Sequence, residues 1–191
     1  MRLPARTTAV ALLPGGAFAA TRQLFTPQEG FEPTLSVFDA SGNEMRELDR
    51  DPDRDHFDVD RLTGAITRYD GAPWVFQWDV HGNSVYTVKT RRGYEIRVFD
   101  SKGALRRIIR KLCDPVPLTA SWREAFLASL AADDAERKII DFPAFLPSLS
   151  GFMVDEEGRL FVSTYAGDEE AGTYRWDLFD RAGELVGRVA A

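Results

Sequence analysis

Glu95-Ile96-Arg97-Val98-Phe99-Asp100-Ser101-Lys102-Gly103-Ala104-Leu105-Arg106-Arg107-Ile108-Ile109 decides how the rest of the chain is read. Apolar residues alternate from Ile96 to Phe99, the period of a strand with one buried face. Asp100 can cap the backbone of its own turn, and Gly103 tolerates the positive φ that such a turn requires. A second strand then begins at Leu105. The same pattern, apolar-x-apolar-Phe-Asp-x-x-Gly, recurs at Leu35–Gly42 and at Trp176–Gly183. A companion pattern precedes each copy: a short apolar strand, a turn ending in Gly, and another strand. It reads Val10–Thr21, Phe76–Thr87 and Phe152–Ser163, with Gly16, Gly82 and Gly158 at the turns. Two half-motifs make a four-stranded antiparallel meander. Because one meander cannot bury both of its faces, repeated meanders imply stacked blades. The expected fold is therefore all-β, with β-propeller-type blades at about 8–48, 75–112 and 150–190 in a single domain spanning 1–191. Phe38, Phe99 and Phe179 should be equivalent, and Val37, Val98 and Leu178 should face the other way, since strand neighbours alternate.

The stretch Gly93–Arg110 resembles six-bladed β-propellers of the NHL-like kind, and within them a bacterial group. The order of blade, helical insertion, Pro143-Ala144-Phe145 and a blade containing Tyr174-Arg175-Trp176-Asp177-Leu178-Phe179-Asp180 is shared with that group. The resemblance implies about the C-terminal half of a six-bladed ring, closed by further blades or by a second copy. It also implies an extracytoplasmic location. About three blades make an incomplete ring, which weakens any function that depends on a central channel.

Of 191 residues, 44% are apolar, including 13 Phe, 5 Tyr and 4 Trp, enough for a packed core. The net charge of −6 opposes nucleic-acid binding, which rests on neutralising phosphates. Arginine far outnumbers lysine, which reads as a base-composition bias rather than phosphate recognition. No run of apolar residues is long enough to span a bilayer. A single cysteine, Cys113, excludes an intrachain disulfide and a cysteine-rich zinc site; it reads as a packed thiol. Residues 1–20 imitate a secretory signal, with Arg2, Arg6, an apolar stretch and Ala17-Phe18-Ala19. Pro14-Gly15-Gly16 interrupts that stretch, and the repeat favours strand–turn–strand.

Between the blades, 49–73 reads as an acidic linker: Asp49, Asp51, Asp53, Asp55, Asp58 and Asp60. Acids at alternate positions can converge on calcium, but Arg54 stands where an EF-hand turn needs Gly, and a solvated loop is the favoured reading. Residues 119–138 read as a helix. Ser121 and Glu124 suggest a capping box, and Trp122, Phe126 and Leu130 form an apolar stripe expected to pack on a blade edge. Arg106, Arg107, Arg110 and Lys111 form a basic run suited to guarding an outer strand.

Catalytic signatures are scarce: no P-loop, His-Glu-x-x-His or Gly-x-Ser-x-Gly occurs. Asp79 and Asp155 each lie three residues before a turn glycine, where they are expected to hold the turn. With His81 and Glu156 they are also the candidates for a binding site at the ends of the inner strands. The function expected is a non-catalytic binding or scaffold module without a cofactor, its ligand a protein, a small molecule or a carbohydrate. The alternative is a lactonase- or lyase-like enzyme whose inner-strand carboxylates hold a divalent cation such as calcium. A homodimer completing a ring is the expected form of self-association, through uncovered faces carrying Trp78, Tyr86, Phe161 and Trp176.

Overall fold

The computed structural model describes residues 6–26, 30–51, 57–59, 66–71, 74–129, 134–165 and 175–190. Three four-stranded antiparallel meanders account for most of them. The first holds β1 (Thr7–Leu12), β2 (Phe18–Thr26), β3 (Gly30–Phe38) and β4 (Glu44–Arg50). Then come two short strands, β5 (Phe57–Val59) and β6 (Ile66–Asp70). The second meander holds β7 (Phe76–His81), β8 (Ser84–Lys89), β9 (Glu95–Asp100) and β10 (Leu105–Arg110). After it come α1 (Ala120–Ser129), α2 (Asp134–Ile139) and β11 (Ile140–Asp141). The third meander holds β12 (Gly151–Val154), β13 (Leu160–Thr164), β14 (Arg175–Phe179) and β15 (Leu185–Ala190). The fold is all-β with propeller-type blades, and residues 7–26 form strand–turn–strand.

The Asp-x-x-Gly turns work as the repeat implies. Asp39, Asp100 and Asp155 each accept two backbone N–H groups of their own turn at 2.8–3.0 Å, and Asp180 accepts one from Glu184 at 2.9 Å. Gly103 has φ near +80°, and a Cβ there would stand 2.8 Å from Cβ of Arg46, so the turn also needs a glycine to let the first blade approach.

Pairing register sorts each blade into two faces. On the second blade, Trp78, Val80, Val85 and Phe99 meet Leu13, Ala19, Leu35, Val37 and Leu48 of the first. Its opposite face carries Val88, Ile96, Val98 and Ile109, which pack with Tyr94 on Phe152, Leu160, Val162 and Phe179. Phe99 and Val98 thus face opposite blades, as strand alternation requires. A fully buried Val, Leu, Ile or Phe contributes about 1.5–3 kcal/mol, against about 1 kcal/mol for a net hydrogen bond. The two inter-blade junctions therefore dominate the stability. Trp78 and Tyr86, expected on uncovered faces, lie at these junctions instead.

Residues 49–73 are more than a solvated loop. Asp49 and Asp51 are buried, and β5 and β6 pair antiparallel, with β11 added in parallel to β6. The helical segment packs there rather than on an outer blade strand. Trp122 stacks on Phe126 at 5.3 Å, and Phe142 meets Phe126 edge-on at 5.7 Å. Phe142 in turn sits over Gly71, where a Cβ would come within 2.6 Å of its ring. The expected capping box gives way to Thr119, whose Oγ1 accepts the Trp122 N–H at 3.2 Å. Helix α1 starts two residues earlier than a Ser121 cap would allow, so Ser121 lies inside it and bonds the Thr119 hydroxyl.

Candidate functional site

Strand direction gives the molecule two unlike ends. Short turns lie at one: Pro14–Gly16, Asp39–Asn43, Gly82-Asn83, Asp100–Ala104, Asp155–Arg159 and Asp180–Glu184. The short connections 27–29 and 90–94 and the long links 51–75, 111–150 and 165–174 leave from the other. Binding groups concentrate on long connections held by a rigid scaffold, so the long-link end is the candidate functional surface.

At that end both junctions bury charge. In the first, Arg92 forms a two-pronged ion pair with Asp49, and Thr87 donates to the same carboxylate at 3.2 Å. Lys89 donates to the Arg50 carbonyl at 2.9 Å and lies 3.5 Å from Asp51. Burial alone would lower the Arg92 pKa, but Asp49 outweighs it and the guanidinium is held further above its ordinary value. In the second junction Asp177 is 2% exposed and receives Tyr94 Oη at 2.8 Å, Arg188 Nε at 3.1 Å and the Lys111 ammonium. Burial and the Asp177 charge push the Tyr94 phenol far above its usual range, so it serves as a fixed donor. Cys113 lies close by, and burial raises its pKa despite Lys111. A raised pKa disfavours the thiolate, which is the reactive form.

Each residue of the basic run has a partner as well. Lys111 pairs with Asp177, Arg110 with Glu95 and Arg106 with Asp100, while Arg107 donates to the Arg181 carbonyl at 2.8 Å. More exposed groups lie beside them. Arg91 sits 4.7 Å from the Trp74 ring centre, Leu112 is fully exposed, and Phe145 stands half out of the 111–150 link.

The residues singled out from sequence fall elsewhere. Asp79 is not a turn cap. The β7–β8 hairpin closes on Gly82-Asn83 alone, so β7 runs on to His81 and Asp79 sits within the strand. Asp79 Oδ2 accepts the Val154 N–H at 3.1 Å and ties β7 to β12. Asp155 does hold its turn. Burial works to raise its pKa, but bonds from Arg159 and Glu157 outweigh that and keep the carboxyl low. His81 packs against Gly158 and Glu156 is exposed; all of these lie at the short-turn end. Asp49 is occupied by Arg92, Asp51 faces Lys89, and Asp53 and Asp55 lie outside the described residues. Among the described residues, no group of three or more His, Cys, Asp or Glu is placed to hold a metal, and no helix is long and apolar enough to cross a membrane.

Sequence reading passed over Gln77, Tyr94, Lys89, Arg92, Asp177 and Arg188. Parity along the strands marks two of them. Phe179 faces inward, so Asp177, two residues before it, does too. Gln77 and Asp79 likewise share one face of β7. A charged or amide side chain on the buried parity of a strand signals a partner across the junction.

No family model matches this chain, and no curated protein does. The fold and the side-chain geometry are what a functional reading can rest on.

Proposed function

We propose that this chain is a non-catalytic, propeller-type binding or scaffold module that takes its ligand at the long-link end. The observation that carries this reading is that the carboxylates an enzyme would need are engaged internally. Asp79 and Asp155 bond backbone N–H groups, and Asp49 and Asp177 are saturated by cationic or hydroxyl donors. Such buried networks stiffen the junctions beneath a surface that presents Trp74 with Arg91, Leu112 and Phe145. Aromatic and arginine side chains suit a protein, peptide or sugar ligand, through stacking and apolar contact. Membership of the NHL-like six-bladed group is part of the same proposal, supported by the repeated Phe-Asp-x-x-Gly blades and the helical insertion before the last blade.

The test is capture of the chain by peptide and glycan arrays. Trp74→Ala and Arg91→Ala should abolish any signal, whereas Lys102→Ala at the short-turn end should leave it unchanged. A signal that follows Lys102 instead, or stoichiometric divalent metal with turnover of a lactone, overturns the proposal.

A further inference from the structure

The third blade's face turned away from the second blade is largely apolar; Ser163 on it is buried and bonded to the Ser150 hydroxyl. Register places two rows there: Gly151, Ser163, Trp176 and Val189, then Met153, Phe161, Leu178 and Gly187. Asp177, Arg188 and Arg175 belong to the alternate rows, so these two rows contain no charge. Met153 is 51% exposed and Val189 50%, while Trp176, Phe161 and Leu178 are half-buried. A Cβ built on Gly187 meets no atom within 4 Å. In both junctions within the chain, the corresponding rows are buried against the next blade.

The outer face of the first blade is of a different kind, with Thr34 and Ser36 on it fully buried. Phe18 and Phe38 stack at 5.1 Å and are already covered, at 0% and 1% exposure. The Arg22 guanidinium lies 5.4 Å above Phe38 and pairs with Glu44, whose other oxygen accepts Ser36 Oγ at 2.8 Å. Glu47 and Arg50, paired at 2.7 Å, continue this charged layer. A ring-closing dimer would press the uncharged face of one copy onto this layer and desolvate its ions without new partners, which is costly. Pairing two uncharged faces leaves no ion stranded and closes the assembly at two copies.

We propose that the chain forms a two-fold dimer in which the third blades of two copies pack face to face through Met153, Phe161, Trp176, Leu178 and Val189. Four strands of about five residues give a flat footprint of roughly 300 Å². Even corrugated, that falls short of the ~800 Å² per partner of a standard interface. The dimer is therefore weak and reversible, dissociating at micromolar concentrations.

Sedimentation equilibrium from about 5 to 200 µM tests this on the wild type, Val189→Glu and Leu12→Glu. Leu12 lies 69% exposed at the edge of the first blade's outer face, so either change is borne at the surface. The expected result is a concentration-dependent dimer for the wild type and Leu12→Glu, and a folded monomer for Val189→Glu. A wild-type monomer throughout overturns the proposal. So does a loss of dimer in both variants, which would mark ring closure, or an unchanged dimer in Val189→Glu. Should Val189→Glu unfold, Val189→Cys in a Cys113→Ser background decides. Sheets packed face to face lie about 10 Å apart, and an edge strand can stand a sheet width of about 14 Å from its mate, so a bis-maleimide spanning about 20 Å should join the introduced thiols, and failure to do so refutes the pairing.

Discussion

Replacing Gln77 by alanine should cost the protein more than a half-buried neutral side chain ordinarily does. Its amide acts like one residue of a strand. Nε2 donates to the Phe152 carbonyl at 2.7 Å, and Oε1 accepts the Phe152 N–H at 3.0 Å. Phe152 is buried, so Gln77→Ala strands a donor and an acceptor between β7 and β12. Each stranded group costs about 1–3 kcal/mol, and water entering the vacated space recovers part of it. The net expectation is about 3 kcal/mol, or about 6–12 °C in Tm for a chain of this size. Gln77→Glu sharpens the test. A carboxylate accepts the N–H but repels the carbonyl; only a protonated carboxyl can restore the second bond. Folding therefore raises the pKa of the introduced group above the ~4.3 of an unfolded glutamate. Its stabilising form is the protonated one, fully present below that value and lost as pH rises through the folded pKa. The deficit of Gln77→Glu relative to wild type should thus be large at pH 7 and shrink towards pH 4. Urea unfolding followed by tryptophan fluorescence measures both. An alanine variant within about 0.5 kcal/mol of wild type, or a glutamate deficit independent of pH, would refute the reasoning.

Asp177→Ala leaves the Lys111 ammonium without its buried counter-charge and should cost about 3–5 kcal/mol. Tyr94→Phe removes one of three donors to Asp177 and should cost about 1 kcal/mol; equal losses in chemical denaturation would contradict this hierarchy. Asp39, held low chiefly by the Asn43 side chain, and Asp100, held low chiefly by the Ala104 N–H, both have depressed pKa values in the fold. Their stabilisation is present above the ordinary value of 3.8 and disappears as pH falls through the lower folded values. The stability gap between wild type and Asp100→Asn should accordingly hold steady above pH 5 and close in stronger acid; a gap that widens on acidification would reverse the sign. Thr119→Ala removes the cap of α1 and should cost about 1 kcal/mol, whereas Ser121→Ala should cost less, as differential scanning calorimetry can show.

Why the blades were legible and the junction chemistry was not follows from the range of the forces. Phe38-Asp39, Phe99-Asp100 and Phe179-Asp180 each encode a strand end and a turn within a few residues, so local sequence suffices. The ladder from Gln77 to Phe152 spans 75 residues, and the bond from Tyr94 to Asp177 spans 83. Nothing local to Gln77 distinguishes it from a solvated amide; only the packing of β12 beside β7 does. The misreading of Asp79 has a related cause. Asp79 and Asp155 stand at the same distance from a glycine, but a two-residue hairpin needs no aspartate cap, so the strand simply runs on. The residues from 49 onward read as solvated because their acids are dense, whereas Arg92 and Lys89, far along the chain, draw Asp49 and Asp51 into the first junction.

The three repeated phenylalanines also separate what a repeat specifies from what its position adds. Phe99 and Phe179 insert into the blade before them and draw their burial from it. Phe38 has the same turn and the same parity, but it stacks on Phe18 beneath the Arg22–Glu44 pair. Arg22, Glu44, Glu47 and Arg50 lay paired charges over this face. Trp176 and Leu178 have no such cover. The alternation that turns Phe179 towards the second blade turns these two away from it, onto the face with Met153 and Val189. Charge on one outer face and its absence on the other means that these two faces differ in what they can pair with. Arg22→Ala combined with Glu44→Ala should accordingly open the first face to association, producing species larger than a dimer in sedimentation velocity. If that double variant remained no larger than the wild type, the charged layer would not be what keeps the first face closed.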